Sequence, residues 1–353
     1  GRADLNNDGL LDFMGSDMMG TNHFRQKVGM GNMSRNAWFL DSAEPRQYMR
    51  NAVYLNTGTG RFMEAAHMTG LAKTDWTWAL KFGDLDNDGH VDLFVANGMT
   101  GDLFNSDITA AQRAGTYLRP DEDEKRPEPK RDANLAFRNL GDLAFENVSE
   151  SWGLGKKAAS FGAALGDLDG DGDLDLVVNN FADPVSIYRN ASGNENHRVK
   201  IRLVGTQSNR FGIGAKVRLW AGDGQVLTRY LTLSRGFYAS DEPMVHFGLG
   251  KLKTIERLTI DWPSGISQTL KNLDADRTYT ITEPDQSGPH ETGQSIKPLY
   301  AKVDPPIGGI HYELDFDDYA RQPLLPQKYS QLGPGSAWGD IDGDGDDDLF
   351  TGQ

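Results

Sequence analysis

A nine-residue acidic pattern, repeated four times, constrains this chain more than any other feature. It spans Asp4–Asp12, Asp84–Asp92, Asp167–Asp175 and Asp340–Asp348 (loops 1 to 4), and reads Asp-x-Asp/Asn-x-Asp-Gly-x-x-Asp each time. The starts are separated by 80, 83 and 173 residues, so the last interval has room for a different element in place of one repeat. Each loop leads into a short β-type run: Leu11-Asp12-Phe13-Met14, Leu93-Phe94-Val95-Ala96, Leu176-Val177-Val178 and Leu349-Phe350. Short apolar runs between turn signals read as strands. Glycine supplies 41 of 353 residues, well above the usual share of about 7 %. Many turns and short strands follow, and the expected class is all-β.

The loop chemistry follows from its spacing. Oxygens at the first, third and fifth places of a tight loop can converge on one point: Asp4, Asn6 and Asp8; Asp84, Asp86 and Asp88; Asp167, Asp169 and Asp171; Asp340, Asp342 and Asp344. Glycine at the sixth place allows the turn. The backbone carbonyls of Leu10, His90, Asp173 and Asp346 stand at the seventh place, and Asp12, Asp92, Asp175 and Asp348 close the set at the ninth. Hard oxygen donors in that number suit Ca²⁺ better than Mg²⁺, zinc or copper. Up to four ions are expected, moving the formal charge from −15 to about −7. Without a cation the clustered carboxylates repel one another. An EF-hand is excluded because it needs a glutamate at place 12. Here that place holds Gly15, Val95, Val178 and Thr351.

These loops, with Lys81-Phe82-Gly83-Asp84 and Phe161-Gly162-Ala163-Ala164-Leu165-Gly166-Asp167 leading into them, resemble the FG-GAP/VCBS repeats of integrin-α-like β-propellers. The runs Val53–Glu64 and Leu135–Val148, each with an Asn-x-Gly turn, fit the outer strands of a blade. Residues 195–285 have no acidic loop and alternate with period two. With Asn209-Arg210-Phe211-Gly212-Ile213-Gly214-Ala215 and Ile260-Asp261-Trp262-Pro263-Ser264-Gly265-Ile266, they resemble the ASPIC/UnbV domain. That domain accompanies FG-GAP repeats in the cartilage acidic protein family and in many secreted bacterial proteins. The expected order is propeller repeats at 1–190, a β-sandwich-like ASPIC/UnbV domain at 195–285, a linker at 286–310 and a further, incomplete repeat at 311–353. The resemblance implies an extracellular or cell-surface calcium-binding protein with adhesion or assembly roles and no catalytic residues. The absence of cysteine departs from the disulfide-bearing animal members and points to a bacterial one. Closure takes about four to eight blades. The chain is therefore expected to be part of a longer protein, or to complete its ring with a partner chain.

Charge and composition narrow the partners. A balance of 36 basic to 51 acidic residues disfavours nucleic acid and anionic lipid, and no apolar run is long enough to span a membrane. A protein or glycan at the cell surface is the expected partner. No H-E-x-x-H, G-x-S-x-G or phosphate loop is present, so no enzyme is expected. The second function class is a glycan binder or an accessory to polysaccharide uptake or degradation. It would use Trp76 and Trp78, which precede loop 2 as Trp338 precedes loop 4. The charged, Pro-rich run Pro120–Asp132 reads as a solvated insertion. Met14, Met18, Met19, Met30 and Met33 near His23 read as packing rather than a soft-metal site.

Overall fold

The computed structural model describes residues 1–28, 49–101, 129–191, 195–222, 224–285, 315–322, 336–339 and 348–351, with isolated positions 105, 107, 110, 111, 114 and 343. The expected linker at 286–310 and most of the charged run 120–132 lie outside them. The fold is nearly all β, 44 % strand and 5 % helix. Residues 1–290 and 291–353 form separate compact units. Among the described residues of the first, five sheets of three or more strands stand in a propeller-like arrangement. In the second, a short helix, Asp318–Arg321, and one hairpin, Ser336–Gly339 with Asp348–Thr351, are described.

Three sheets carry loops 1 to 3. The first orders its strands Arg2–Ala3, Asp12–Gly15, Ala52–Asn56 and Phe62–Glu64. The second runs Asp75–Gly83, Asp92–Asn97, Leu135–Asn139 and Phe145–Asn147, with Met18–Met19 added beyond Asp75–Gly83. The third is Ser160–Gly166, Asp175–Asn180 and Ser186–Tyr188. Every acidic loop joins two antiparallel strands. The residue before the loop pairs with its ninth member: Ala3 with Asp12, Gly83 with Asp92, Gly166 with Asp175 and Gly339 with Asp348.

Strand Asp92–Asn97 shows how the sheets stack. Successive side chains of a strand point to opposite faces. Leu93 and Val95 join a core with Met14, Val53 and Leu55 of the first sheet. Phe94 and Ala96 join another with Leu165, Leu176 and Val178 of the third. All six residues are buried, which is why this run reads as continuously apolar rather than alternating.

Residues 197–282 form two further sheets. His197–Val204 lies between Val245–Gly250, antiparallel, and Arg277–Thr282, parallel. Lys216–Ala221 lies between Val226–Tyr230 and Thr254–Asp261, and the latter pairs with Ser267–Asp274. One core joins the two: Val199, Ile201 and Leu203 meet Val217, Leu219, Leu258 and Ile260, with Phe247 and Trp262.

The register corrects the expected likeness of Trp338 to the tryptophans before loop 2. Trp338 pairs with Leu349 as Phe82 pairs with Leu93 and Leu165 with Leu176. Trp78 stands six residues before its loop, where sheet three has Phe161. The pairing register shifts at both places, between Thr77 and Ala79 and between Ser160 and Ala163.

Candidate metal centre in the acidic loops

The first aspartate of each described loop wraps its carboxylate around the turn. Asp4 accepts from the amides of Asp8 at 3.0 Å and Gly9 at 2.9 Å. Asp84 accepts from Asp88 at 3.1 Å and Gly89 at 2.9 Å. Asp167 accepts from Gly170 at 2.8 Å and Gly172 at 2.9 Å. The fifth residue caps the seventh amide: Asp8 to Leu10, Asp88 to His90 and Asp171 to Asp173. These turns need left-handed backbone at two places. The sixth is always glycine, and the fourth is Asn7, Asn87, Gly170 or Gly343, with φ of 56°, 60°, 81° and 78°. Asparagine and glycine are the residues that tolerate this region. The fourth place carries that signal in the sequence as asparagine or glycine in all four loops.

The ninth aspartate is the anchor. Asp12, Asp92 and Asp175 are at most 1 % exposed. Each accepts from the second amide of its loop, on Leu5, Leu85 or Leu168, at 2.7–2.9 Å. Each also accepts from the amide of an asparagine ending the next strand or just beyond it: Asn56, Asn139 or Asn190, at 2.7–2.9 Å. The side chains of these asparagines reach further. Asn139 donates to the Leu5 carbonyl of loop 1 at 2.9 Å, and Asn190 to the Leu85 carbonyl of loop 2 at 2.7 Å. One residue type thus ties each loop to the preceding one. Asn56 and Asn139 stand in Asn-x-Gly turns in the sequence, which hid this second use.

Three carboxylates converge in two loops. One oxygen each from Asp84, Asp86 and Asp88 lies within 4.8 Å of the others, and so does one each from Asp167, Asp169 and Asp175. Oxygens sharing one Ca²⁺ at about 2.3–2.6 Å can be no more than about 5 Å apart. These donor sets fit a hard cation. In loop 3, Asp171 and Asp173 fall outside the converging set. In loop 1 no three carboxylates among the described residues meet that spacing; Asn6 brings an amide and hydrogen-bonds Asp8 at 3.0 Å. The His90 ring turns away from its own loop and meets Asn7 of loop 1 at 3.2 Å. Asp340, Asp342, Asp344 and Asp346 of loop 4 lie outside the described residues. For Asp348 the backbone pairing alone is described.

The protein supplies cations of its own. Arg138 spans Asp86 at 2.6 Å and Asp88 at 3.0 Å. Lys200, in strand His197–Val204, meets Asp167 at 2.7 Å, and Arg198 meets Asp173 at 2.8 Å. Burial nevertheless pushes the Asp84 carboxyl up to about 7, with Asp88 and Asp86 adding repulsion against Arg229. Asp4 rises to about 6, chiefly through burial. Asp92 rises through burial and the Asp84 and Asp86 charges, and Asp86 through burial and Asp88. Burial acts on Asp167 too, but the Lys200 contact together with the Gly170 and Gly172 amides outweighs it and holds that carboxyl below the ordinary value.

The second pair of sheets grips loop 2 closely. Gly248 donates its amide to Asp84 at 3.1 Å, and Gly250 donates to the Asn87 carbonyl at 2.8 Å. A Cβ on Gly248 would lie 2.2 Å from an Asp84 oxygen and 2.5 Å from the Asn87 backbone. Only glycine permits this approach.

Comparison with known proteins agrees with this layout. The FG-GAP-like repeat family matches residues 4–95 and 129–178, and the ASPIC and UnbV family matches residues 205–288. Cartilage acidic protein 1 of Xenopus tropicalis is 25 % identical over 282 residues, covering 70 % of this chain and 43 % of that protein. The Homo sapiens protein of the same name is 23 % identical over 282 residues, covering 70 % and 42 %. The chain spans less than half the length of these curated relatives. It carries FG-GAP-like repeats followed by an ASPIC/UnbV domain, and is a homologue of cartilage acidic protein 1.

Proposed function

We propose that this chain is a non-enzymatic, extracellular calcium-binding module that presents a rigid surface for adhesion, surface assembly or protein–protein interaction. Each acidic loop would hold one Ca²⁺. The donors are the side chains at places one, three, five and nine and the carbonyl at place seven: Leu10, His90, Asp173 and Asp346. The observation that carries this reading is the convergence of Asp84, Asp86 and Asp88 within 4.8 Å at a site whose deepest carboxyl is pushed up to about 7. That charge lacks a sufficient counter-ion, and a divalent cation supplies one.

The role of the ion is structural. With dissociation constants of about 10⁻⁴–10⁻³ M and millimolar calcium, each site contributes about 0.4–1.4 kcal/mol. Four such sites add up to a few kcal/mol, comparable with the net stability of a domain. Millimolar calcium is an extracellular condition, which is why secretion belongs to the reading. Titration calorimetry with CaCl₂, paired with thermal melts in calcium and in EGTA, tests it. Saturable heat and a lower midpoint in EGTA are expected. No heat and an unchanged midpoint overturn the proposal.

A further inference from the structure

We infer that the cleft between the third acidic-loop sheet and the segment Arg235–Ser240 binds an uncharged sugar unit of a glycan. The cleft has a volume of about 540 Å³, within the range of about 300–1,000 Å³ typical of small-molecule sites. Its chemistry is unusual for this protein. The chain has 51 acidic and 36 basic residues, yet no Asp, Glu, Lys or Arg is among the described residues lining the cleft. An occupant matched to such walls is neutral. A sugar ring offers apolar C–H faces with hydroxyls at its edge. It therefore needs exposed aromatic rings beside free amides or hydroxyls.

Those groups are present. Tyr238 is 94 % exposed, and its ring stands edge-on to Phe237 at 4.5 Å. Behind them Trp78 packs on Phe237 at 4.8 Å and on Phe161 at 4.9 Å. The Trp78 indole N–H is tied to the Gly98 carbonyl at 2.6 Å, so this wall is fixed. Asn179 lies exposed on the floor strand and also lines the cleft. The neighbouring Asn180 is already committed to Ser160, Ser186 and the Pro184 carbonyl. The strand register breaks at Phe161 and Gly162, also in the cleft; such bulges re-aim side chains at binding sites.

The backbone supplies an independent observation. Tyr238 and Ala182 both line the cleft and both sit in the left-handed region, with φ of 46° and 57°. For a bulky residue this is a true outlier and costs free energy. Packing does not repay the cost at Tyr238, because the ring is almost wholly in solvent. A strained and exposed aromatic at the mouth of a neutral aromatic cleft is what a ligand contact requires and what packing does not.

The test uses the calcium-loaded chain and neutral hexasaccharides, namely maltohexaose, cellohexaose and laminarihexaose, alongside heparin as the charged control. Calorimetry and protein-observed NMR should show binding of at least one neutral probe. Tyr238→Ala and Asn179→Ala should each weaken it tenfold or more, while Phe62→Ala, an exposed aromatic of the first sheet outside the cleft, should leave it unchanged. Tyr238→Gly separates function from packing: it should abolish binding yet raise the melting midpoint, because glycine relieves the left-handed strain. No binding of any neutral probe, binding of heparin alone, or neutral binding that survives Tyr238→Ala would each overturn the inference. A fall in the midpoint with Tyr238→Gly would do the same. The calcium heats of all variants should stay unchanged, so failure here is distinct from failure of the calcium reading.

Discussion

Asp84 in loop 2 and Glu283 in the ASPIC/UnbV domain are both buried, at 2 % exposure each, and both accept several hydrogen bonds. Their carboxyls move in opposite directions. Glu283 takes the amides of Thr206, Gln207 and Ser208 at 2.8–2.9 Å and the hydroxyls of Ser208 and Ser264. These donors overcome burial and lower it to about 2. Asp84 takes three amides and still rises to about 7, because burial outweighs them and Asp88 and Asp86 stand beside it. Backbone donors can satisfy one buried carboxylate but not a cluster of them. The Glu283 cradle balances its own charge, whereas the loop 2 carboxylates form a donor set that could hold a cation. Loop 3 lies between the two because Lys200 fills part of the same need.

The largest break in this comparison is Lys200→Met. It should make loop 3 resemble loop 2 by stranding Asp167 without its buried partner. Removing one member of a buried pair costs about 3–5 kcal/mol. Urea unfolding in EGTA should show that loss, and a smaller one in saturating calcium, where the ion replaces the missing charge. Equal losses in both conditions would refute the equivalence of lysine and calcium at this loop.

Acid gives the next effect, at Glu283. Its folded pKa lies below the unfolded value of 4.5. Its stabilisation is therefore full above pH 4.5 and disappears as pH falls toward 2. The shift corresponds to about 3 kcal/mol. The stability difference between the parent chain and Glu283→Gln should be that large at pH 6 and close to zero near pH 2. A difference that does not change with pH would show that the five donors hold the neutral acid equally well.

Gly248→Ala probes the grip of the ASPIC/UnbV domain on loop 2. The added methyl meets the Asp84 carboxylate and the Asn87 backbone, and neither is the far end of a flexible side chain. Overpacking of this kind costs about 1–3 kcal/mol. Calcium affinity should fall with it, since the shift displaces Asp84. An unaltered urea midpoint would show that the contact yields freely.

Much of this was legible in the residues. Identical spacing in four places carries the hairpins and the strand that follows each loop, and in loops 2 and 3 it brings three carboxylates together. The ninth aspartate, expected as a ligand, is the anchor that receives two amides, and among the described residues only Asp175 of loop 3 joins a converging set. What stayed hidden depends on neighbours that spacing does not encode. Asn139 and Asn190 look like ordinary turn or strand-end residues until their side chains are seen reaching the preceding loop. Lys200 stands in an alternating strand and reads as its solvent-facing member. Its charge turns to Asp167 only because two sheets pack there. Phe161 and Trp78 share a place in the repeat, but aromatic identity alone does not separate a cleft wall from a core.

The smallest effect distinguishes calcium from the protein's own cations. Arg138 bridges Asp86 and Asp88, two of the three carboxylates that converge in loop 2. Its side chain is 37 % exposed, so the pair contributes modestly, about 1 kcal/mol or less. Arg138→Ala should therefore barely lower stability in EGTA. A guanidinium and a calcium ion draw on the same oxygens, so removing the first should favour the second, with a severalfold gain in affinity at one site by calorimetry. Arg138 could instead orient the two carboxylates toward the ion, and then the same substitution would weaken binding. The sign of the change identifies the resident of loop 2: competition requires the ion to sit where the arginine now reaches, and orientation requires it to sit beyond. Lys200→Met supplies the reference at loop 3, where the lysine pairs with Asp167 and Glu242 rather than with Asp169 or Asp175. If both substitutions raise calcium affinity, both loops use their basic residues as stand-ins for the metal.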